Sequence, residues 1–445
     1  MVYFISIAAL VAVFAIATVR PINMGILGFV AAFLVGGLLS DIAIEDIQSL
    51  FPGDMFMIVF GITLLFGVAT ANGTIDLIMG GALRVVRGRP WAVLWLMFLL
   101  AAILMALGSV MAVGMLAPIA MPLAKRYGID PLLMGMMLSH GALAAAFSPI
   151  TVYSVGIGEL MDDQGIDLSA PLLFAVPFAL NLLMATVLFL VRGRSLLGST
   201  DTIVSNDVQD GSGAAAPEPG GSAGGRTVGQ DSGAGTLVAE QTGTASSGPT
   251  RDNWLTFAAM VGLLAAALGG IDIGVTSICL AAVLLLLSPG KVEASMRAVA
   301  WPAVLLVCGV VTYMGVLTEN GTIDYLGARA SEIPWPLLTA LMMFLAVGII
   351  SAVGSSFGII LISLPLAAPL LESGQLGAAG FVIALSFCAT VVDVSPFSTN
   401  GIIVLASAQV DDKHRLQGRM LAYTGIVVVV APLLALLTVV IPTSV

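Results

Sequence analysis

GVATANGTID at residues 67–76 returns as GVLTENGTID at residues 315–324, identical at eight of ten positions and displaced by 248 residues. Both copies close an apolar run, and both place Asn-Gly-Thr where the run gives way to a mixed-polarity arm. A repeat of this spacing in a chain of 445 residues predicts two structurally similar halves. Composition says what kind of halves. Apolar residues make up 59% of the chain and charged residues 9%, against roughly 25% charged in soluble domains. Apolar runs of spanning length recur along most of the sequence, the pattern of a multi-span membrane protein. The first, residues 2–19, carries its charge (Arg20) behind the apolar core and no small-residue cleavage site, so it reads as a retained span.

One segment breaks the pattern. Residues 196–252 are rich in Gly, Ser, Ala, Thr and acids without hydrophobic periodicity, and read as a disordered linker between a first repeat at 1–195 and a second at 253–445. In the first repeat, spans are expected near 2–19, 22–40 and 55–72, followed by an arm at 73–89. Two apolar arms then meet at Gly108-Ser109, and a Pro-interrupted span at 131–158 and a last span at 171–191 complete the set. The second repeats the order: 254–270, 273–288, 301–318, an arm at 320–333, apolar arms meeting near Gly354-Ser355-Ser356, a broken span at 376–409, and 419–441. The uncharged tips are poor candidates for emerging into water, so each pair of arms reads as a re-entrant hairpin. The fold class is therefore all-α and polytopic, with two inverted-topology repeats. Each repeat has about five transmembrane helices, one re-entrant hairpin and one Pro-broken helix.

An odd number of crossings per half turns the second half upside down. Charge placement gives the same answer independently. On this map 15 of the 16 basic residues fall on one face and only Arg329 on the other, while twelve acids, among them Asp41, Asp54, Glu159 and Glu372, collect opposite them. The positive-inside rule makes the basic face cytoplasmic, which puts the linker inside and both termini outside a cell membrane.

Inverted repeats of this kind build secondary transporters, with sites at interrupted helices near the bilayer midplane. Ser148-Pro149 and Ser395-Pro396 break both halves at a spacing of 247. Proline frees a carbonyl one turn back, a hard oxygen suited to a small cation, and the next half-helix offers bare N–H groups to an anion. The expected substrate-binding residues are Gly108, Ser109, Thr151, Ser355, Ser356, Ser398, Thr399 and Asn400. Those expected for a coupling ion are Ser109, Ser148, Ser356, Asp393 and Ser395. Asp393, the one acid deep in a span, reads as a cation ligand or proton carrier, or else as a protonated acid or a cap of the neighbouring break. His140 reads as a packed residue or a proton relay. The 21 Met residues read as packing. Cys279, Cys308 and Cys388 lack disulfide or metal spacing. GSSFG at 354–358 fits a nucleophile elbow without the strand that elbow needs, and no clustered catalytic groups suggest an enzyme. The acceptor-like Asn72-Gly-Thr and Asn320-Gly-Thr read as turn formers. No basic tract suggests nucleic acid.

With hairpins and broken helices in place, the chain resembles the ion transporter superfamily. It is similar to the divalent anion:sodium symporters, nearest the bacterial malonate/dicarboxylate carriers of the MatC type. The resemblance covers everything except the linker. It rests on PINMGILGFVAAFLVGGLLSD (21–41), the two NGTID junctions, MLAPIAMPLA (115–124) and LISLPLAAPL (361–370). It implies uptake of C3–C6 dicarboxylates such as malonate, malate or succinate, coupled to Na⁺ or H⁺ by an elevator motion, commonly in a homodimer. It also implies no cofactor beyond Na⁺ as coupling ion. Where that superfamily carries Ser-Asn-Thr at each tip, this chain reads Gly108-Ser109-Val110 and Ser355-Ser356-Phe357, without the Asn and Thr. A cation/proton antiporter on the same architecture, with Asp393 as the exchanging carboxylate, is the alternative.

Overall fold

The computed structural model describes residues 2–20, 22–75, 77, 89–197, 250–323, 325–326, 335–372 and 374–444. Most of the predicted linker and the outer parts of both arms, with Arg84, Arg87, Arg329 and Glu332, lie outside the described residues. The chain is an all-α membrane protein, with no strand among the described residues. The first half contains α1 (Val2–Val19), α2 (Met24–Ala31, continued by a π-helical stretch Ala32–Leu39), α3 (Ile44–Ser49), α4 (Gly53–Ala71), α5 (Pro90–Ala106), α6 (Ala112–Arg126), α7 (Pro131–Ala144), α8 (Val152–Asp163) and α9 (Ala170–Leu188, running on to Leu197). The second contains α10 (Arg251–Leu268), α11 (Ile273–Leu287), α12 (Val292–Ala298), α13 (Trp301–Glu319), α14 (Pro336–Ser351), α15 (Ser356–Glu372), α16 (Ala378–Val391), α17 (Thr399–Ser407) and α18 (Lys413–Ala435, running on to Thr443). Element for element, the second half repeats the first.

Local chemistry sets the boundaries. Pro90, Pro131 and Pro336 open α5, α7 and α14, where a missing N–H costs nothing. Side chains of Asp130, Asp272 and Asp412 cap α7, α11 and α18. The predicted long spans at 131–158 and 376–409 are each two helices, separated at the Ser-Pro steps. The break is built the same way twice. Thr151 caps α8 by accepting from Ser154 N and donates to the Ala146 and Ser148 carbonyls at 2.6 and 2.8 Å. Ser398, 247 residues later, caps α17 by accepting from Gly401 N and donates to the Ser395 carbonyl at 2.7 Å. The hairpin helices α5 and α6 have 17 and 15 residues, about 25 and 22 Å long, which is short of the roughly 30 Å hydrocarbon core.

The halves exchange partners reciprocally. Helix α4 packs on α11 while its counterpart α13 packs on α2, and α6 packs on α17 while α15 packs on α8. The repeated decamer holds the same exchange together. Asn72 Oδ1 accepts from the Thr74 backbone and hydroxyl, and its amide donates to Thr256 of α10 at 2.6 Å. Asn320 does the same with Thr322, and its amide donates to Ser6 of α1 at 3.1 Å. Gly73 and Gly321 follow with φ of 78° and 71°, backbone that favours glycine. Each copy of Asn-Gly-Thr therefore turns its own chain and ties it to the first helix of the other half. Asn72→Ala leaves the Thr74 and Thr256 groups without their partner. It is expected to cost about 1–3 kcal/mol, read as a lowered thermal midpoint in detergent, with Asn320→Ala matching it.

Candidate functional site

The two half-helix breaks and the two hairpins converge on a cavity of about 600 Å³. Its walls come from both halves. Val110–Val113 of the first hairpin and Val152 and Tyr153 of α8 face Val353–Phe357 of the second hairpin and Asp393, Phe397, Thr399, Asn400 and Ile402 of the second break. The remaining wall is Ala17, Ile22, Asn23 and Met24 against Arg297–Ala300, Pro302, Ala303 and Leu306. On that wall Ile22 and the Arg297 side chain are exposed, as Met111, Val353, Phe397 and Ile402 are on the others, and the Asn23 amide donates to the Pro302 carbonyl at 2.8 Å across the two halves.

The second break supplies the polar floor. Asp393 sits in the turn after α16 and is only 7% exposed. Its Oδ2 accepts from the Asn400 amide at 3.0 Å, and the carboxyl group also faces the backbone N–H groups of Thr399 and Asn400 and the Ser398 hydroxyl. The chain's own carboxyl group therefore occupies the N-terminus of α17. At the second hairpin tip, Ser351 and Ser356 hydroxyls lie 3.0 Å apart, and Ser351 gives its hydrogen to the Ala389 carbonyl at 2.6 Å. The bond between them then runs from Ser356 to Ser351, leaving Ser356 lone pairs for a cation. Ser355 accepts from Gly358 N at 3.3 Å.

The first half contributes differently. At the position matching Asp393 stands Ala146. Ser148 Oγ donates to the Ala106 carbonyl at 2.8 Å, tying the break to the hairpin, and Ser109 is fully buried beside Met115 Sδ. Gly108 has φ 102°, and a Cβ there would meet Ile62 at 2.8 Å. What this half shows the cavity is mostly aliphatic, with Tyr153 its one aromatic in the lining. Tyr153 packs on Phe357 with centroids 4.9 Å apart and the rings tilted by 49°, and is met edge-on by Phe147.

Of the residues expected from sequence, Ser355, Ser356, Asp393, Thr399 and Asn400 line the cavity together. Gly108, Ser109, Ser148, Thr151, Ser395 and Ser398 do not line it. His140 lies away from it, fully buried. Asn181 donates its amide to Pro177, so its Oδ1 accepts from His140 Nδ1 at 3.0 Å, and Nε2 accepts from Tyr423 Oη at 2.7 Å. This bridge joins α7, α9 and α18. Asn23, Tyr153 and Arg297 were not anticipated, since each reaches the cavity only through packing between the halves. Among the described residues no three His, Cys, Asp or Glu side chains converge. Any cation held here would rest on hydroxyls, carbonyls and Asp393.

Chemically, the cavity offers a carboxyl group, hydroxyl oxygens and an amide at one end and apolar and aromatic walls elsewhere. It suits a small, water-soluble ion accompanied by a cation better than a covalent reaction. Residues 1–146 match the family model described as dicarboxylate carrier protein MatC N-terminus, which bears out the resemblance to MatC-type dicarboxylate carriers. Among curated proteins nothing matches.

Proposed function

We propose that the chain is a secondary carrier that moves small dicarboxylates of three to six carbons together with Na⁺ or H⁺, by alternating access between two inverted halves. The family match points to dicarboxylate transport. The observation carrying the finer reading is the cavity itself. It lies where both hairpins meet both broken helices, and Asp393, Asn400, Thr399, Ser355 and Ser356 all face it. Ser356 lone pairs and the Asp393 carboxyl group suit a coupling cation. The cation offsets the charge of a dianion that would otherwise lie beside an acid at membrane depth, which costs several kcal/mol.

Inversion is supported by which helix ends lie together. Asp130, at the start of α7, forms ion pairs with Arg192 at the end of α9 and with Arg419 near the start of α18. Counterpart helices thus bring opposite ends to one face. Re-entrance is supported by the uncharged turns that join the hairpin helices at Gly108-Ser109 and Gly354-Ser355. One wall of the cavity is formed by the end of α1 and the starts of α2 and α13, the ends flanked by Arg20 and Arg297. By the positive-inside rule this wall faces the cytoplasm. The tilted Tyr153–Phe357 pair lies in a different wall. The cytoplasmic linker, outward termini and pairing of two chains belong to the same proposal.

Uptake of labelled malonate or succinate into liposomes, with and without Na⁺ and proton gradients, tests it. Accumulation driven by one gradient is the expected result. Exchange of cations for protons with no competition from any dicarboxylate would instead select the antiporter reading, which the lone carboxyl group in the cavity favours.

A further inference from the structure

The cavity lining has two charged side chains among the described residues, Asp393 and Arg297. They sit at opposite depths. Asp393 is 7% exposed, while the Arg297 side chain is 79% exposed and stands on the rim. Resting on the carrier reading above, we propose that Arg297 is the anion-receiving residue at the rim, releasing Glu293 to take a carboxylate of the incoming dicarboxylate before it passes to the floor.

Three observations carry this. First, Arg297 is the one cation in the described lining, with Arg20 flanking the same wall outside it, so an anion entering past this wall meets positive charge ahead of the Asp393 end. Second, its present partner is easily exchanged. Arg297 donates to Glu293 Oε1 at 2.5 Å across one helical turn, with both side chains about 80% exposed. Exposed pairs of this kind contribute about 0–1 kcal/mol, so exchanging one carboxylate for another costs little. The guanidinium fork is also shaped for a carboxylate.

Third, the repeat shows that the frame does not need this arginine. At the 248-residue displacement of the decamer, Glu293 falls on Glu45 and Arg297 falls on Ser49. Helices α12 and α3 connect equivalent spans, and the Ser49 hydroxyl simply donates to the Asp46 carbonyl at 2.7 Å. The acid recurs in both halves and the cation does not. A residue present in one half only, exposed at the edge of the cavity, fits a role in handling the ligand.

The test uses the purified full-length chain in detergent, with malonate as the probe and calorimetric titration at low and high ionic strength. Arg297→Gln is expected to weaken malonate binding about tenfold at low salt, in line with electrostatic focusing at a cleft, and to flatten its salt dependence. Arg297→Lys should retain the salt dependence with intermediate affinity, and Glu293→Gln should tighten binding. A folding defect would not produce that opposite sign. Wild-type affinity and salt dependence in Arg297→Gln overturn the proposal and leave the carrier reading standing. A wild-type chain that binds no dicarboxylate overturns both.

Discussion

Gly309→Ala prevents the folded protein from accumulating, whereas Gly262→Ala and Gly418→Ala leave it at wild-type levels. The contrast follows from where two helices touch. A Cβ on Gly309 would lie 1.8 Å from the Gly25 carbonyl oxygen, and one on Gly25 would lie 1.8 Å from the Leu305 carbonyl oxygen. These are backbone atoms, so no side chain can rotate away; α2 and α13 would have to separate along their whole contact. In lipid no hydrophobic force pulls helices back together, and association depends on the close approach that small residues allow. Inserting one methylene into a packed core costs about 1–3 kcal/mol, and a backbone clash at the junction of two halves exceeds that range. Gly262 and Gly418 have nothing within 4 Å of a built Cβ, and alanine there gains helix propensity of up to about 1 kcal/mol. Yield and monodispersity in detergent read the outcome. A monodisperse Gly309→Ala protein with an unchanged thermal midpoint would sink the account of how the halves are joined.

The matching junction, α4 with α11, is built on the same plan with looser atoms. Gly61 would meet Ser277 Oγ at 2.1 Å, and Gly274 would meet Ile58 at 3.0 Å. The pairs correspond: Gly28 approaches Gly309, as Ser277 approaches Gly61. Two contacts of one design, each between one helix from either half, explain why the sequence repeat is strongest around α4 and α13. Those helices and their Asn-Gly-Thr turns must satisfy a partner in the other half as well as their own.

Features governed by short-range chemistry were legible in the sequence. The Asn-Gly-Thr turns could be read because an Asn that accepts from its own chain and a glycine at positive φ are local requirements. The breaks could be read because a proline inside an apolar run can be satisfied in few ways. Asp393 beside Asn400 could be read because an acid at membrane depth needs a partner close by. Side-chain direction could not. Ser148, Thr151 and Ser398 stand where a hydroxyl could face a ligand, yet each donates to a carbonyl freed by the break or the hairpin turn. A buried hydroxyl takes the nearest acceptor, and the interrupted helix supplies one within a turn. Arg297 had no local signal at all, since its neighbours in the cavity come from α1 and α2, some 270 residues away along the chain.

Asp393→Asn is the substitution expected to change function most, because it alters charge while nearly preserving shape. The amide can still accept from Asn400, and it remains at the N-terminus of α17. What it loses is the full negative charge in a cavity whose only described cation is on the rim. If Asp393 served only to cap α17, the loss would be confined to the helix-end interaction, about 0.3–2 kcal/mol of stability, with transport and its ion dependence kept. If it holds the coupling cation, removing the charge uncouples the cycle. Gradient-driven accumulation of dicarboxylate then falls by a factor on the order of ten or more, since each 1.4 kcal/mol lost from cation binding is tenfold. The thermal midpoint moves little, but its rise on adding the coupling cation disappears, because stabilisation by a ligand requires that the ligand bind. Measuring accumulation and cation-dependent stabilisation on the same preparation separates the two roles. A variant with wild-type accumulation and wild-type cation response assigns Asp393 to the helix end alone and moves the coupling ion to the hydroxyl and carbonyl oxygens around Ser356.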